Sequence, residues 1–269
     1  MDQPSASPPL TVTFDTNTLA AVVSPDDAQS GRGESGRIVR AAILAGTVRG
    51  FFCESVVTLE GITRADRSEV LGQTRVVSKS AQTGERQITL TVGTQHVRKP
   101  LDYRFSERLK GAVDLGIRPL RTAMRLGFSH HLPPDQLFEP PGGIGELIRC
   151  MDKVNALTTE ITGRHAGQWD AAQLGMEQVK RMRGPHPILW LQGLPLADEN
   201  KVKRAVAEWA DGDSVAAHYG FGIQLFCTDD VGSRKPKSVL AADNRKWLSE
   251  KYGIEFVTLK QLAARVAIQ

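Results

Sequence analysis

The sequence predicts an α/β fold: a three-layer α/β/α domain on a parallel central sheet, carrying a mixed hairpin-and-helix insertion. Three observations lead there. Short runs rich in β-branched and aromatic residues recur at Thr11–Asp15, Val48–Cys53, Ile223–Cys227 and Ile254–Val257, with the length and composition of buried strands. Segments with helical spacing of apolar residues follow these runs, and strands alternating with helices favour a parallel sheet covered on both faces. At 269 residues, with 41% hydrophobic and 24% charged side chains, the chain can bury a substantial core and has an ordinary globular composition.

The organisation is read as a short disordered tail at residues 1–9, a core formed by 10–64 and 166–269, and an inserted region at 65–165. The start, MDQPSASPPL, has neither the basic nor the apolar segment of a secretion signal. No uninterrupted apolar run approaches the roughly 18 residues of a membrane span, so the expectation is a soluble, cytoplasmic protein with no membrane partner. Cys53, Cys150 and Cys227 form no CxxC pair. They read as reduced, buried thiols.

Thr16, Asn17 and Thr18 follow the first strand and can cap a helix beginning near Leu19. Ile38, Ala41, Ala42 and Ala45 share one face of a helix predicted over Ser35–Gly46. After the second strand, Ser55 is placed to cap a helix on which Glu60 lies more than one turn in. Arg75–Lys79 and Gln87–Val97 flank QTGER and read as a β-hairpin, with helices next at Ser106–Leu115 and Arg118–Leu126 and a Pro-rich break after them. Leu147, Met151, Val154, Leu157 and Ile161 form the apolar stripe of a further helix, and another is predicted from Gly167 to Arg183. Val202, Ala205, Val206 and Trp209 mark a helix ending near Asp211–Asp213. A helix at Leu240–Tyr252 and a terminal helix complete the alternation.

The first strand delivers Asp15 at its C-terminal end, and ligand sites in open parallel sheets lie beyond such ends. A lone strand-end Asp is more often a turn former or helix N-cap, so its meaning depends on convergence with other acids. Candidates are Glu60, Asp213 and Asp230, of which Asp230 follows its strand as Asp15 follows the first. Asp211 and Asp213 suit helix N-caps equally well. Two carboxylates about 4 Å apart repel by roughly 4 kcal/mol at an effective dielectric of about 20. A cluster therefore needs bound protons or a divalent cation, and Mg²⁺ or Mn²⁺ suits hard oxygen ligands best. Such an ion serves phosphodiester hydrolysis.

These residues together resemble the PIN-domain ribonucleases: a strand ending in Asp15-Thr16-Asn17, a Ser-initiated segment SVVTLE ending at Glu60, an Asp213 opening a helix before a strand, and a strand ending Thr228-Asp229-Asp230. The resemblance covers roughly 10–64 and 166–269 and departs from the family in the long gap between Glu60 and Asp213. It implies that Asp15, Glu60, Asp213 and Asp230 hold Mg²⁺ or Mn²⁺, with Asn17 and Thr228 orienting carboxylates. The activity it implies is metal-dependent cleavage of RNA, with a protein inhibitor or regulator as a further partner class. A non-catalytic scaffold binding RNA or protein, and a structure-specific DNA nuclease, are the alternatives.

Charge adds a second line. The net charge is +4 and the pI about 9.0, which leans towards a polyanionic partner. Residues 65–165 carry 15 basic and 11 acidic side chains, the remainder 19 of each. Arg118, Arg121 and Arg125 fall at helical spacing, and Arg234, Lys235 and Lys237 lie just after Asp230; these six are the candidates for phosphate contact. The adjacent His130 and His131 cannot imitate a helical zinc pair. PPGGIGEL lacks a full GxGxxG and follows no strand, and His218 reads as a packed helix histidine.

Overall fold

The computed structural model describes residues 8–27, 31–84, 87–95, 99–122, 129–179, 190–230, 232 and 237–268. Strands are β1 (Leu10–Phe14), β2 (Val48–Cys53), β3 (Arg75–Gly84), β4 (Gln87–Gln95), β5 (Arg118–Leu120), β6 (Leu225–Cys227) and β7 (Glu255–Val257). Helices α1 (Thr16–Val23), α2 (Arg32–Leu44), α3 (Arg67–Gly72), α4 (Tyr103–Asp114) and α5 (Gly143–Gly163) are followed by α6 (Trp169–Val179), α7 (Trp190–Gly193), α8 (Glu199–Gly220), α9 (Ala242–Tyr252) and α10 (Leu259–Val266).

β1, β2, β5, β6 and β7 form one parallel sheet in the order β5-β2-β1-β6-β7. The three-layer α/β/α architecture follows from alternation along its strands. Val12 and Phe14 of β1, Val48 and Phe52 of β2, and Leu225 and Cys227 of β6 pack with α1, α2 and α10. Phe226 points the other way, into a core built with α5, α8 and α9. The period of two in side-chain direction thus supplies two apolar faces from one short strand.

After β1 the chain moves outward to β2 and β5, and later returns to place β6 and β7 on the opposite side. The order therefore reverses beside β1, the position at which open α/β sheets leave a crevice at their carboxyl ends. Phe14 pairs in register with Cys227, so the residues following β1 and β6 leave the sheet side by side.

Several sequence expectations change. Residues 65–165 do not stand apart: β5 is an edge strand of the central sheet, and α5 packs along α8. The expected helix beginning at Arg118 is instead this strand; three residues spanning an apolar Pro-Leu pair satisfy either period. The hairpin forms, as β3 paired antiparallel with β4. α1 begins at Thr16, directly after Asp15, and α2 buries Ser35, Gly36, Val39 and Ile43; of the expected face, Ala42 packs against that core while Ile38, Ala41 and Ala45 are exposed.

The largest change concerns α8, which runs unbroken through the Asp-Gly-Asp triplet. A helix tolerates one glycine at a cost of about 1 kcal/mol, and Gly212 has a packing reason to be there. A Cβ on it would lie 2.8 Å from the Cα of Gly167. With 22 residues, α8 is roughly 33 Å long, enough to serve two cores. Val202, Ala205, Val206 and Trp209 pack with α3, α6 and α7, and Val215 and Ala216 pack on the sheet side.

Candidate active site

Asp15 is the first residue beyond β1 and the N-cap of α1, where one carboxylate oxygen accepts the Thr16 N–H at 2.7 Å. Its other oxygen accepts hydrogen bonds from the Asn17 amide and, at 2.7 Å, from the Thr228 hydroxyl. The cap explains part of why an acid is placed here; it leaves the carboxylate at the mouth of a cleft. Thr228 also accepts the N–H of Asp230 at 3.0 Å, and the Asn17 carbonyl accepts that of Asp229 at 3.2 Å. Asn17 and Thr228 thus tie the end of β1 to the end of β6 while orienting the same carboxylate.

Glu60 arrives from the far side. It ends a π-helical turn, Val56–Glu60, a geometry that recurs at functional sites. Ser55 does not cap this turn; its hydroxyl is buried and donates to Cys53 Sγ and to the Ala210 carbonyl, anchoring the turn to α8. The Thr16 hydroxyl donates to Glu60 Oε2. Arg67 is buried behind, donating to the backbone carbonyls of Glu60, Ile62 and Lys203.

The third acid from α8 is Asp211, not Asp213. Val202, Val206, Trp209, Asp213, Ala216 and Gly220 follow a seam of alternating three- and four-residue steps and are all buried, so Asp213 occupies an apolar stripe. Ala207 and Asp211 share the adjacent face, one turn apart, and both line the cleft. Asp213 faces Glu54 and Cys53 inside the protein, and burial, reinforced by the Glu54 charge, raises its carboxyl well above the usual range.

Asp15, Glu60, Asp211 and Asp230 all line one cleft of about 1120 Å³. Burial and neighbouring charge displace the titration of three of them, Asp15, Glu60 and Asp211. Burial raises Asp15, with Asp230 adding to the effect against the opposing hydrogen bonds of Thr228, Thr16 and Asn17. Burial and the Asp15 charge push Glu60 up to about 7. Asp211 is raised well above the carboxylate range by burial first, then by Asp15, Glu60, Glu208 and Asp230. Burial lowers the Arg245 guanidinium below its usual range, against the charges of Asp230 and Asp15, which act to raise it. Among the described residues, no group of three or more His, Cys, Asp or Glu side chains is arranged to hold a metal ion.

The remaining candidates separate by position. Arg118 lies on the sheet edge and Arg121 pairs with Glu139 at 3.7 Å; neither lines the cleft. Lys237 is exposed and also outside it, while Arg125, Arg234 and Lys235 lie outside the described residues. The cations that do line the cleft are Arg32 and Arg40 of α2 and Arg104 and Arg108 of α4. Arg32 pairs with Asp229 at 2.9 Å and Arg40 donates to the Val23 carbonyl. Their signal in the sequence was an i, i+4 arginine pair within the net-basic region 65–165 and a pair of arginines on α2.

His218 is a core residue: Nδ1 stands 3.0 Å from the Thr13 hydroxyl, the ring meets Phe226 edge-on, and burial lowers its titration to about 3. His131 bonds the Lys99 carbonyl at 2.9 Å. All three cysteines are free and buried. No helix among the described residues is long and apolar enough to cross a membrane. Neither a protein-family model nor a curated protein matches this chain.

Proposed function

We propose that this protein is a divalent-metal-dependent endoribonuclease of the PIN type, acting through Asp15, Glu60, Asp211 and Asp230. The observation that carries the reading is the convergence of these four acids, from two strand ends and two helical segments, in one cleft at the carboxyl edge of a parallel sheet. Acids that raise one another's titration are poorly stabilised in the absence of a counter-ion. An all-oxygen donor set suits Mg²⁺ or Mn²⁺. Mg²⁺ keeps several waters and is bound through one or two direct carboxylates, so it does not need a complete shell of protein ligands.

When bound, such an ion supplies an activated water and offsets charge on a phosphoryl group. The chain's own residues supply the rest. Asn17 and Thr228 hold the Asp15 carboxylate in one orientation through hydrogen bonds to a single oxygen. Thr16 restrains Glu60, and Arg67 fixes the backbone that presents it. Arginines on α2 and α4 line the same cleft, where they can bind the phosphates flanking the scissile bond.

The experiment is single-turnover cleavage of end-labelled RNA and DNA oligomers by wild type and Asp15→Asn in Mg²⁺, Mn²⁺ or EDTA. Internal cleavage of RNA that needs the divalent ion and Asp15 supports the reading. Wild type inert on RNA in both ions would remove it, and cleavage of DNA alone would turn it into the DNA-nuclease alternative.

A further inference from the structure

The carboxylates do not end the hollow surface on their side of the molecule. A second hollow of about 600 Å³ shares Glu60 and Ala207 with the acidic cleft and is lined by Arg64, Arg67, Lys203 and Arg204. Cations therefore flank the acids on both sides, with Arg104 and Arg108 on one and Arg64 and Arg204 on the other. Arg64, Arg104 and Arg204 are exposed and Arg108 is half-buried. Among the described residues none of the four guanidinium groups has an ion-pair partner. Glu107 is the acidic exception on the α4 wall.

The position of α4 is built rather than incidental. Asp102 caps it by accepting the N–H groups of Arg104 and Phe105. A Cβ on Gly111 would lie 2.7 Å from Val23 Cγ1, so glycine allows the close crossing on α1, the helix that Asp15 caps. This crossing brings Tyr103, Arg104 and Arg108 to the rim of the cleft. Tyr103 is 75% exposed, an aromatic face held by a helix and left uncovered by the described residues. An aromatic platform among unpaired cations binds unstacked bases without regard to sequence. A duplex keeps its base faces stacked inside and offers none to Tyr103.

We infer that α4 on one side, and Arg64 with the Lys203–Arg204 turn of α8 on the other, form the two walls of a track for a single-stranded polynucleotide crossing the carboxylates. Tyr103 stacks an unpaired base, while Arg104 with Arg108, and Arg64 with Arg204, hold phosphates on opposite sides. This inference rests on the nuclease reading for the direction of the strand over the acids, but its test reads binding. RNA and DNA share the recognising chemistry, and the probes separate them.

The test is fluorescence anisotropy in Ca²⁺-containing buffer across a salt series. The probes are a fluorescein-labelled 12-nucleotide RNA, its DNA counterpart and the blunt duplex of each; the proteins are wild type, Tyr103→Ala, Tyr103→Phe, Arg104→Ala/Arg108→Ala and Arg64→Ala/Arg204→Ala. Single strands should bind wild type more tightly than duplexes. Tyr103→Ala should weaken single-strand binding roughly tenfold with little change in salt slope, and Tyr103→Phe should restore it. Each double arginine variant should lower the slope by about 1.4, the counter-ions of two phosphate contacts. Duplex binding equal to single-strand binding, or single-strand affinity unchanged in Tyr103→Ala, overturns the track. Binding as expected without Mn²⁺-dependent cleavage supports the track and removes the nuclease reading; cleavage with binding insensitive to all these variants does the reverse.

Discussion

The cleft at the strand ends gathers one buried, two half-buried and one exposed carboxyl, whereas Glu54 and Asp213 are both buried in the interior behind β2, and α8 supplies one acid to each group. Asp211 joins Asp15, Glu60 and Asp230 on a surface open to solvent and flanked by arginines. Asp213 instead sits in the interior beside Glu54, whose carboxylate accepts the N–H and hydroxyl of Thr122 at 2.8 and 3.1 Å. Burial raises both α8 acids, so perturbed titration alone does not distinguish a site from a core. What differs is access and company: the cleft acids share space in which a cation and substrate can enter, and the interior acid is enclosed by core residues, with the Trp209 side chain hydrogen-bonded to it.

The sharpest way to break this comparison is to exchange one carboxylate for an amide on each side. Asp15→Asn and Asp211→Asn should each lower single-turnover cleavage of RNA in Mn²⁺ by at least about 100-fold, the loss of a few kcal/mol of charge stabilisation. Asp213→Asn should stay within about threefold of wild type, because Asp213 lies in the core outside the cleft and an amide keeps its shape. A large loss in Asp213→Asn without loss of stability would reverse the assignment. Thr228→Val, which keeps the size but removes the donor to Asp15, should cost about 10- to 100-fold in activity or metal affinity. Unchanged values would show that Thr228 only joins β1 to β6.

A smaller effect tests the packing that aims Asp211. Gly212→Ala forces a methyl towards the Gly167 backbone and should destabilise by about 1–3 kcal/mol in urea unfolding. A midpoint equal to wild type would mean the two segments separate without cost.

The smallest effect concerns pH. Glu60 is raised in the folded state from 4.5 to about 7, so the folded protein binds more protons than the unfolded chain across that interval. Stability without metal therefore falls as pH rises through it. Discounting the solvent-exposed part of the side chain, we expect Glu60→Gln to reduce this fall by about 1 kcal/mol. Melting in EDTA at pH 5 and pH 7.5 measures it; equal pH dependence in the variant would exclude Glu60 as a source. Mn²⁺ should raise the wild-type melting temperature more at pH 7.5 than at pH 5.

Much of the fold was legible because strands buried on both faces leave a short, β-branched signature and because parallel strands share one carboxyl edge. That rule aligned Asp15 with Asp230, and the family resemblance added Asn17 and Thr228 beside them. Asp213 was chosen over Asp211 because Asp-Gly-Asp resembles a helix break; extending the Val202, Val206, Trp209 seam by one step would have put Asp213 in the core. The reason for the glycine lay in Gly167, distant in sequence and invisible to local periodicity. Arg118 and Arg121 fit a helical spacing that so short a run also permits in a strand. Arg104 and Arg108 passed unnoticed because only the crossing of α4 on α1 brings them to the cleft.

Mn²⁺ binding, followed by the paramagnetic signal of the free ion, tests the central claim most directly when wild type is compared with Asp211→Asn and Asp213→Asn. Wild type and Asp213→Asn should bind Mn²⁺ alike, and Asp211→Asn at least about tenfold more weakly. Wild-type affinity retained in Asp211→Asn, or no binding by the wild type, would contradict a metal centre built from the strand-end acids and the cleft face of α8.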